Sequence, residues 1–462
     1  MAVLLERPGS FGERHFGGCR LGDRRRTRRL AALADRTLAH PEGPLPRKLQ
    51  RPADYRALCR LANHPAVTHA AVLGPHARLT RAEARSRPGV VLLLHDTTEL
   101  DFSGQATLAL GRIGNGGGAG YECHNSLAAD PGTGELLGRA HQVLHRRARV
   151  PRGEGRAAKR ARADRESRVW TEAVRAIGPA PAGRVWVDVC DRGADLFEFL
   201  AHEHAAGRSY VVRSSQNRVL GADGGLPRLL HDRLRGLPAA ARWAVAVAAA
   251  AGRPARTAGV AAAARAVVVP PPHNRRGEYP AAPLAVWGIR VWEERPPDGA
   301  EPLEWLLLTN VPVGTAGQLR GRVGWDERRW VVEEDHKAQK TGVGVEGLRF
   351  RSRAGLEPVI ALVSVVAVAL VNLRAAARRP GLAGRPAAEV VDRSWVEAVS
   401  VWRHGEVRPL TVREFTLALG RLGGHQNRKS DGLPGWQTLW RGWNQLHAMI
   451  AYELSRQRCG KH

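Results

Sequence analysis

A mixed α/β fold is predicted for the 462-residue chain by three observations. Two largely apolar runs, 89–94 and 184–190, each lead into an aspartate and read as buried strands. Helical patterns occupy both ends of the chain, strongly basic in the first 86 residues. Between about 209 and 312, alternating and apolar runs separated by Pro and Gly turns read as β-structure. The expected layout is a helical segment at 1–86, a core at 87–375 with the β block inserted at 209–312, and a helical region at 376–462.

Length alone allows a large core and two or three domains. The formal charge of +27 comes from 71 Lys and Arg against 44 Asp and Glu, with a pI near 11.3. Such a surface attracts polyanions, and nucleic acid is the default polyanion for a soluble basic protein. A GC-rich genome would raise Arg and Ala by itself, so charge points to DNA without establishing it. The five cysteines form no CxxC pair, against both a zinc knuckle and a disulfide framework. A reducing cytoplasm fits that usage. The apolar run at the N-terminus is too short for a signal peptide. The stretch 359–373, interrupted by Ser364 and Asn372, is shorter than a bilayer span and is expected to be a core helix, so no membrane partner is predicted.

Along the first segment, 17 basic residues face 7 acidic ones. Asp23 can cap a helix that presents arginines on several faces, Arg24, Arg25 and Arg28 among them. A second helical pattern follows at 54–61. No helix can bury so many arginines, so this module is expected on a phosphate backbone; a merely soluble helical cap is the plainer alternative. The strand at 89–94 leads to Asp96, and ends of central strands are where sites gather. The Gly-rich stretch 111–120 lacks the Gly-Lys-Ser/Thr ending of a phosphate loop, so a hairpin or loop is expected and no nucleotide cofactor is predicted. Between 145 and 168, ten basic residues stand against three acids in a Pro- and Gly-broken loop. The second strand leads to Asp191, with Asp188 inside it and Asp195 at the entry of a helix; Asp191 is the best candidate ligand of the three.

From 329 to 340 the chain reads as one charged helix. Arg329, Glu333, Lys337 and Lys340 fall on one face at 3.6 residues per turn. A carboxylate among cations suits a site where a metal ion meets a phosphodiester, although a solvated helix with i,i+4 ion pairs has the same spacing. Asp96, Asp191 and Glu333 together supply the hard oxygen ligands that Mg²⁺ prefers, and two such ions about 3.5–4 Å apart can serve phosphoryl transfer. Near the C-terminus Trp436, Trp440 and Trp443 form one helical stripe, more often core than a stacking platform.

These blocks carry a family resemblance. His95-Asp96-Thr97-Thr98-Glu99-Leu100, Cys190-Asp191-Arg192-Gly193-Ala194-Asp195 and the 329–342 segment resemble the three motif blocks of DDE transposases of the insertion-sequence-four family, in its transposon-five-like branch. The run beginning Leu21-Gly22-Asp23, the segment Glu304–Thr309, and the Leu422-Gly423-Gly424 and Leu439–Trp443 segments match in the same order, so the resemblance spans nearly the whole chain. It implies an RNase H-like catalytic core with an inserted β-sheet region, a helical N-terminal domain binding transposon ends, and a helical C-terminal dimerisation region. It implies that Asp96, Asp191 and Glu333 are the metal-binding catalytic triad for two Mg²⁺ ions, with Mn²⁺ as a substitute. Arg329, Lys337 and Lys340 match the cations of the family's Tyr-Arg-Glu-Lys signature, which grip DNA near the cleaved end. Trp305 matches a tryptophan on which a flipped base stacks; taken alone it is a core residue of an apolar strand. One position departs: Asp326 stands where the signature has tyrosine, with Trp325 beside it, and an ionised acid would repel a phosphate.

The expected activity is cut-and-paste transposition. A homodimer binds two ends of double-stranded DNA, hydrolyses a strand at each to free a 3′-OH, and joins it to target DNA, in the nucleoid of the cytoplasm. The alternatives are a transposase-derived DNA-binding protein without cleavage, an RNase H-like nuclease that cuts without joining, and a basic structural protein that leaves the acid blocks unexplained.

Overall fold

Residues 11–148, 153–221, 225–226, 228–247, 255–272, 282–377, 379–428 and 431–459 are described by the structure, a computed structural model. The chain is mixed α/β with an N-terminal helical region and a large mixed sheet. It divides into two compact units, each assembled from separated stretches. One comprises 1–86, 97–154 and 331–462, and the other 87–96 and 155–330.

The first unit begins with helices α1 (Phe11–Phe16), α2 (Arg24–Ala39), α3 (Leu45–Leu49), α4 (Pro52–Ala62) and α5 (His69–Ser86). The Asp23 carboxylate caps α2 by accepting from the Arg25 amide at 2.8 Å, as its sequence position predicted. Strand β1 (Val90–Asp101) belongs to both units and changes unit between Asp96 and Thr97. In the first unit its second half is followed by β2 (Gly111–Arg112), β3 (Ala119–Ala129) and β4 (Leu136–His145). The Gly-rich stretch is the β2–β3 hairpin, as expected. After the chain returns come α11 (Trp330–Lys337), α12 (Arg353–Ala376), α13 (Pro380–Ala383), α14 (Arg393–His404), α15 (Val412–Leu422) and α16 (Trp436–Cys459), apart from Trp330, which falls in the other unit.

Helix α12 is the centre of this unit and packs on α2, α4, α5, β4, α15 and α16. By length and composition it could cross a membrane, but 83% of its most apolar window is buried inside the protein. Trp436, Trp440 and Trp443 are all buried, so the aromatic stripe of α16 is core. Gly423 and Gly442 meet where α15 crosses α16. A Cβ on Gly442 would stand 1.8 Å from the Leu419 carbonyl oxygen, so both matched segments exist to bring two backbones together.

The second unit holds the first half of β1, then α6 (Arg156–Ala161), α7 (Val169–Ile177), β5 (Val185–Cys190), α8 (Phe197–Ala205), β6 (Ser209–Arg213), α9 (Leu230–Arg235), β7 (Ala241–Val247), β8 (Arg256–Val269), β9 (Leu284–Glu293), β10 (Glu304–Thr309) and α10 (Ala316–Arg328). β1, β5 and β6 are parallel neighbours; β10, β9, β8 and β7 follow as antiparallel strands. The sheet therefore changes character at β6, the first strand of the β block expected at 209–312, which is paired in parallel with β5 and antiparallel with β10. Of the Ala-rich residues 244–265, a weak β signal in sequence, 248–254 lie outside the described residues, and the rest supply the end of β7 and much of the 14-residue β8. Its alanines are small enough to lie buried beside β9, and neighbour pairing rather than propensity makes the strand.

Buried histidines tie the first unit together. The His76 ring accepts from the Arg139 amide through Nε2 at 2.9 Å, so its proton sits on Nδ1 and faces His15 Nδ1 at 3.0 Å. Burial, then the nearby Arg14 charge, lowers His15 to about 3. Burial, then His40, does the same to His447, which packs on Trp395 and Trp443. Neutral histidine is thus the folded form, while an unfolded chain protonates near 6.5. Their contribution is complete above pH 6.5 and is lost as pH falls toward about 3. The urea midpoint should therefore fall between pH 7 and pH 5, and by less in a His447→Phe variant, which chemical denaturation at the two pH values would measure.

Candidate active site and nucleic-acid interface

The acids of the second unit are placed by strand register. β1 and β5 pair His95 with Cys190, and β5 and β6 pair Cys190 with Val212. The next step along each strand is Asp96, Asp191 and Arg213, side by side and, by alternation, on one face of the sheet. Asp96 does not end its strand as expected, because β1 runs on to Asp101. β5 ends at Cys190, and Asp191 starts a tight turn in which its Oδ1 accepts from the Gly193 amide at 2.7 Å. Asp191 is half-buried. Asp195 is fully buried and accepts from the Ser215 and Gln216 amides at 2.7 and 2.8 Å, so it fixes the loop after β6.

The last turn of α10 reaches both ends of this row. Arg329 donates from Nη1 to Asp96 Oδ2 at 2.7 Å, with side-chain exposures of 9% and 12%. Asp326, whose side chain is fully buried, accepts from Arg213 Nε at 3.0 Å and from Nη2 at 2.8 Å. The acid at the signature tyrosine's position is therefore turned inward onto a cation. Trp325 is buried under the Arg322 guanidinium, 4.4 Å from its ring centre.

On the opposite face lies a buried ionic cluster that sequence reading missed. His95 Nε2 and Asp188 Oδ1 are 2.8 Å apart, and Arg208 donates to the same carboxylate at 2.9 and 3.0 Å. Burial pushes the Asp188 carboxyl up, but the Arg208 charge and the His95 contact outweigh it and leave it below its ordinary value. Glu203 is driven well above its ordinary value, first by burial and then by the Asp188 charge. An Asp inside an apolar strand was the available signal, since a carboxylate there must find buried partners.

Glu333 lies in the first unit, four residues beyond Arg329 in sequence. The helix expected over 329–340 is present from Trp330: Arg329 is the joint after α10, α11 covers Trp330–Lys337, and Ala338–Gly342 continues it as a π-helical turn, which shifts Lys340 from 3.6-residue spacing. Glu333 is half-buried, Lys337 is exposed, and Lys340 stands 3.7 Å from Glu346. The inner side of α11 is held by a buried network. Arg139, fully buried on β4, grips Asp335 at 2.7 and 3.0 Å; Asp335 also accepts from Gln339 at 2.7 Å, and Gln142 and Ser364 close the network. Burial raises the Asp335 carboxyl and the Arg139 charge opposes it.

Among the described residues no group of three or more His, Cys, Asp or Glu side chains is gathered to hold a metal ion. The donors of the second unit are Asp96 and Asp191. Two carboxylates fit Mg²⁺ in kind, because that ion keeps several waters and takes one or two acids plus substrate phosphate. Trp305 lies half-exposed on β10 with its indole N–H buried and, among the described residues, without a hydrogen-bond partner.

In the N-terminal helices the arginines divide into two groups. Arg29 and Arg36 pair with the buried Asp54 of α4, and Arg26 donates to the Leu21 carbonyl at 2.9 Å, so these three hold the helices together. Arg24, Arg25 and Arg28 are exposed on α2. Residues 8–67 match the family model described as transposase DNA-binding, which supports a transposase and DNA as its partner.

Two outcomes test these placements. Arg139→Met leaves Asp335 as an unpaired buried charge and should cost roughly 3–5 kcal/mol in urea unfolding, largely restored by adding Asp335→Leu. Replacing Arg24, Arg25 and Arg28 together with Ala should lower the slope of log affinity against log salt by about 2 to 3 in a DNA gel shift, while Arg29→Ala should act on stability instead.

Proposed function

We propose that the chain is a Mg²⁺-dependent cut-and-paste DNA transposase with an RNase H-like core, of the insertion-sequence-four type. The supporting observation is the conjunction, in one chain, of a transposase DNA-binding match over 8–67 and two aspartates, Asp96 and Asp191, that each follow the paired His95 and Cys190 of parallel β1 and β5. Asp96 and Asp191, joined by Glu333, would hold the metal. Bound Mg²⁺ would supply charge neutralisation and an activated water for attack on the phosphodiester. The chain itself then has to bind and orient DNA. Lys337 and Lys340 grip phosphate oxygens, and Arg329 is a cation for which phosphate and the Asp96 carboxylate compete. Trp305 offers a ring to a flipped base. In-line phosphoryl transfer needs positioning and charge more than a covalent nucleophile, so acids and bases suffice. The freed 3′-OH attacks target DNA, in a homodimer on two transposon ends, within the nucleoid.

Asp96→Ala, Asp191→Ala and Glu333→Ala should each abolish metal-dependent nicking of end DNA while leaving end binding in a gel shift nearly intact. Full nicking by any one of them would remove that residue from the triad.

A second reading, a transposase-derived DNA-binding protein that does not cleave, is favoured by Arg329 already neutralising Asp96. It predicts wild-type DNA binding with no nicking at any Mg²⁺ or Mn²⁺ concentration.

A further inference from the structure

We propose that Arg213 is a further substrate-binding residue, contacting a phosphate of the DNA beside Asp191, and that Asp326 is the positioning residue that aims it. This rests on the phosphoryl-transfer reading above.

The argument begins with register. Asp96, Asp191 and Arg213 each follow the His95–Cys190–Val212 row of three adjacent parallel strands, Asp191 just past the end of β5, and alternation puts them on the same face of the sheet. Two candidate metal ligands are thus followed, at the next strand, by a guanidinium. The last turn of α10 secures both ends of the row, Arg329 on Asp96 and Asp326 on Arg213, with Asp191 between them.

Burial shows which group of the second pair faces outward. The Asp326 side chain has no exposure, whereas Arg213 keeps 30% of its own. The carboxylate sits behind and fixes the Nε and Nη2 edge through a bidentate contact, which sets the plane of the guanidinium as a single hydrogen bond would not. Buried ion pairs contribute little net stability compared with apolar packing. Fixing the direction of a cation at the strand ends is a use that apolar packing could not serve. A planar, permanently charged fork is also the side chain suited to phosphate oxygens on which charge builds during attack. The departure at Asp326 acquires a role: where the resembled family has a tyrosine, this chain has an inward carboxylate acting through Arg213. The plainer alternative is that the pair only ties α10 to β6.

The test is single-turnover nicking by the full chain in excess over the DNA that flanks its coding region, with Mg²⁺, using substrates carrying a methylphosphonate at one phosphate at a time. Arg213→Met combined with Asp326→Leu removes both charges of the pair together. It should bind the DNA within about threefold of wild type and nick it about 10²- to 10³-fold more slowly. At one phosphate near the nick, the methylphosphonate should slow the wild type and have no further effect on the double variant. Arg213→Lys, which retains charge but not the fork, should be intermediate in rate, and its phosphate scan decides the matter if the double variant melts far below wild type. A variant that nicks at the wild-type rate, or one whose phosphate profile is the same as the wild type's, overturns the inference alone. A wild type that nicks none of this DNA overturns the functional reading and this inference with it.

Discussion

The ion pair between Asp96 and Arg329 is the constraint on which the candidate site depends. A carboxylate exposed to only 12% cannot stay ionised cheaply without a partner, and the guanidinium at 2.7 Å supplies one. The pair also fixes where α10 ends, because Arg329 is the joint after its last residue. From that joint the chain turns into α11 and Glu333. The same contact that makes Asp96 tolerable in the sheet therefore holds the joint at which α10 ends.

Two buried clusters hold the elements that bear the site. Beneath the strands of the second unit, Asp188 gathers His95 and Arg208, so the residue before Asp96 and the strand before Asp191 are tied on the far face. In the first unit, Asp335 gathers Arg139 and Gln339, and this contact spans α11 and the π-helical turn. Each cluster lies within two or three residues of a candidate ligand. Such clusters lose most when one member is removed, since the remaining charge stays buried. Rigid support from behind is what a phosphoryl-transfer site needs, because its catalysis consists of holding groups in place.

Much of the architecture was legible in the sequence for physical reasons. Short apolar runs, too short for a core helix, read as strands buried on both faces, and they gave β1 and β5 together with the two aspartates. An Asp before an arginine run gave the cap of α2. Other features were hidden. Strand continuation past Asp96 depends on residues such as Thr97 and Glu99 that carry no apolar signal. The π-helical turn after Lys337 was invisible to 3.6-residue spacing; there Gln339 bonds back to the buried Asp335. Exposed and tied arginines on α2 look alike in sequence, and only the partner Asp54 separates Arg29 and Arg36 from Arg24, Arg25 and Arg28.

The measurement that bears most directly on this account is end mapping, on a sequencing gel, of the DNA flanking the coding region after incubation with the purified chain and Mg²⁺. Discrete 3′-OH ends at a repeat boundary, absent without the metal and joined to added target DNA, are the predicted result. DNA that is shifted by the protein yet remains intact at every Mg²⁺ and Mn²⁺ concentration would contradict the account and leave a DNA-binding protein in its place.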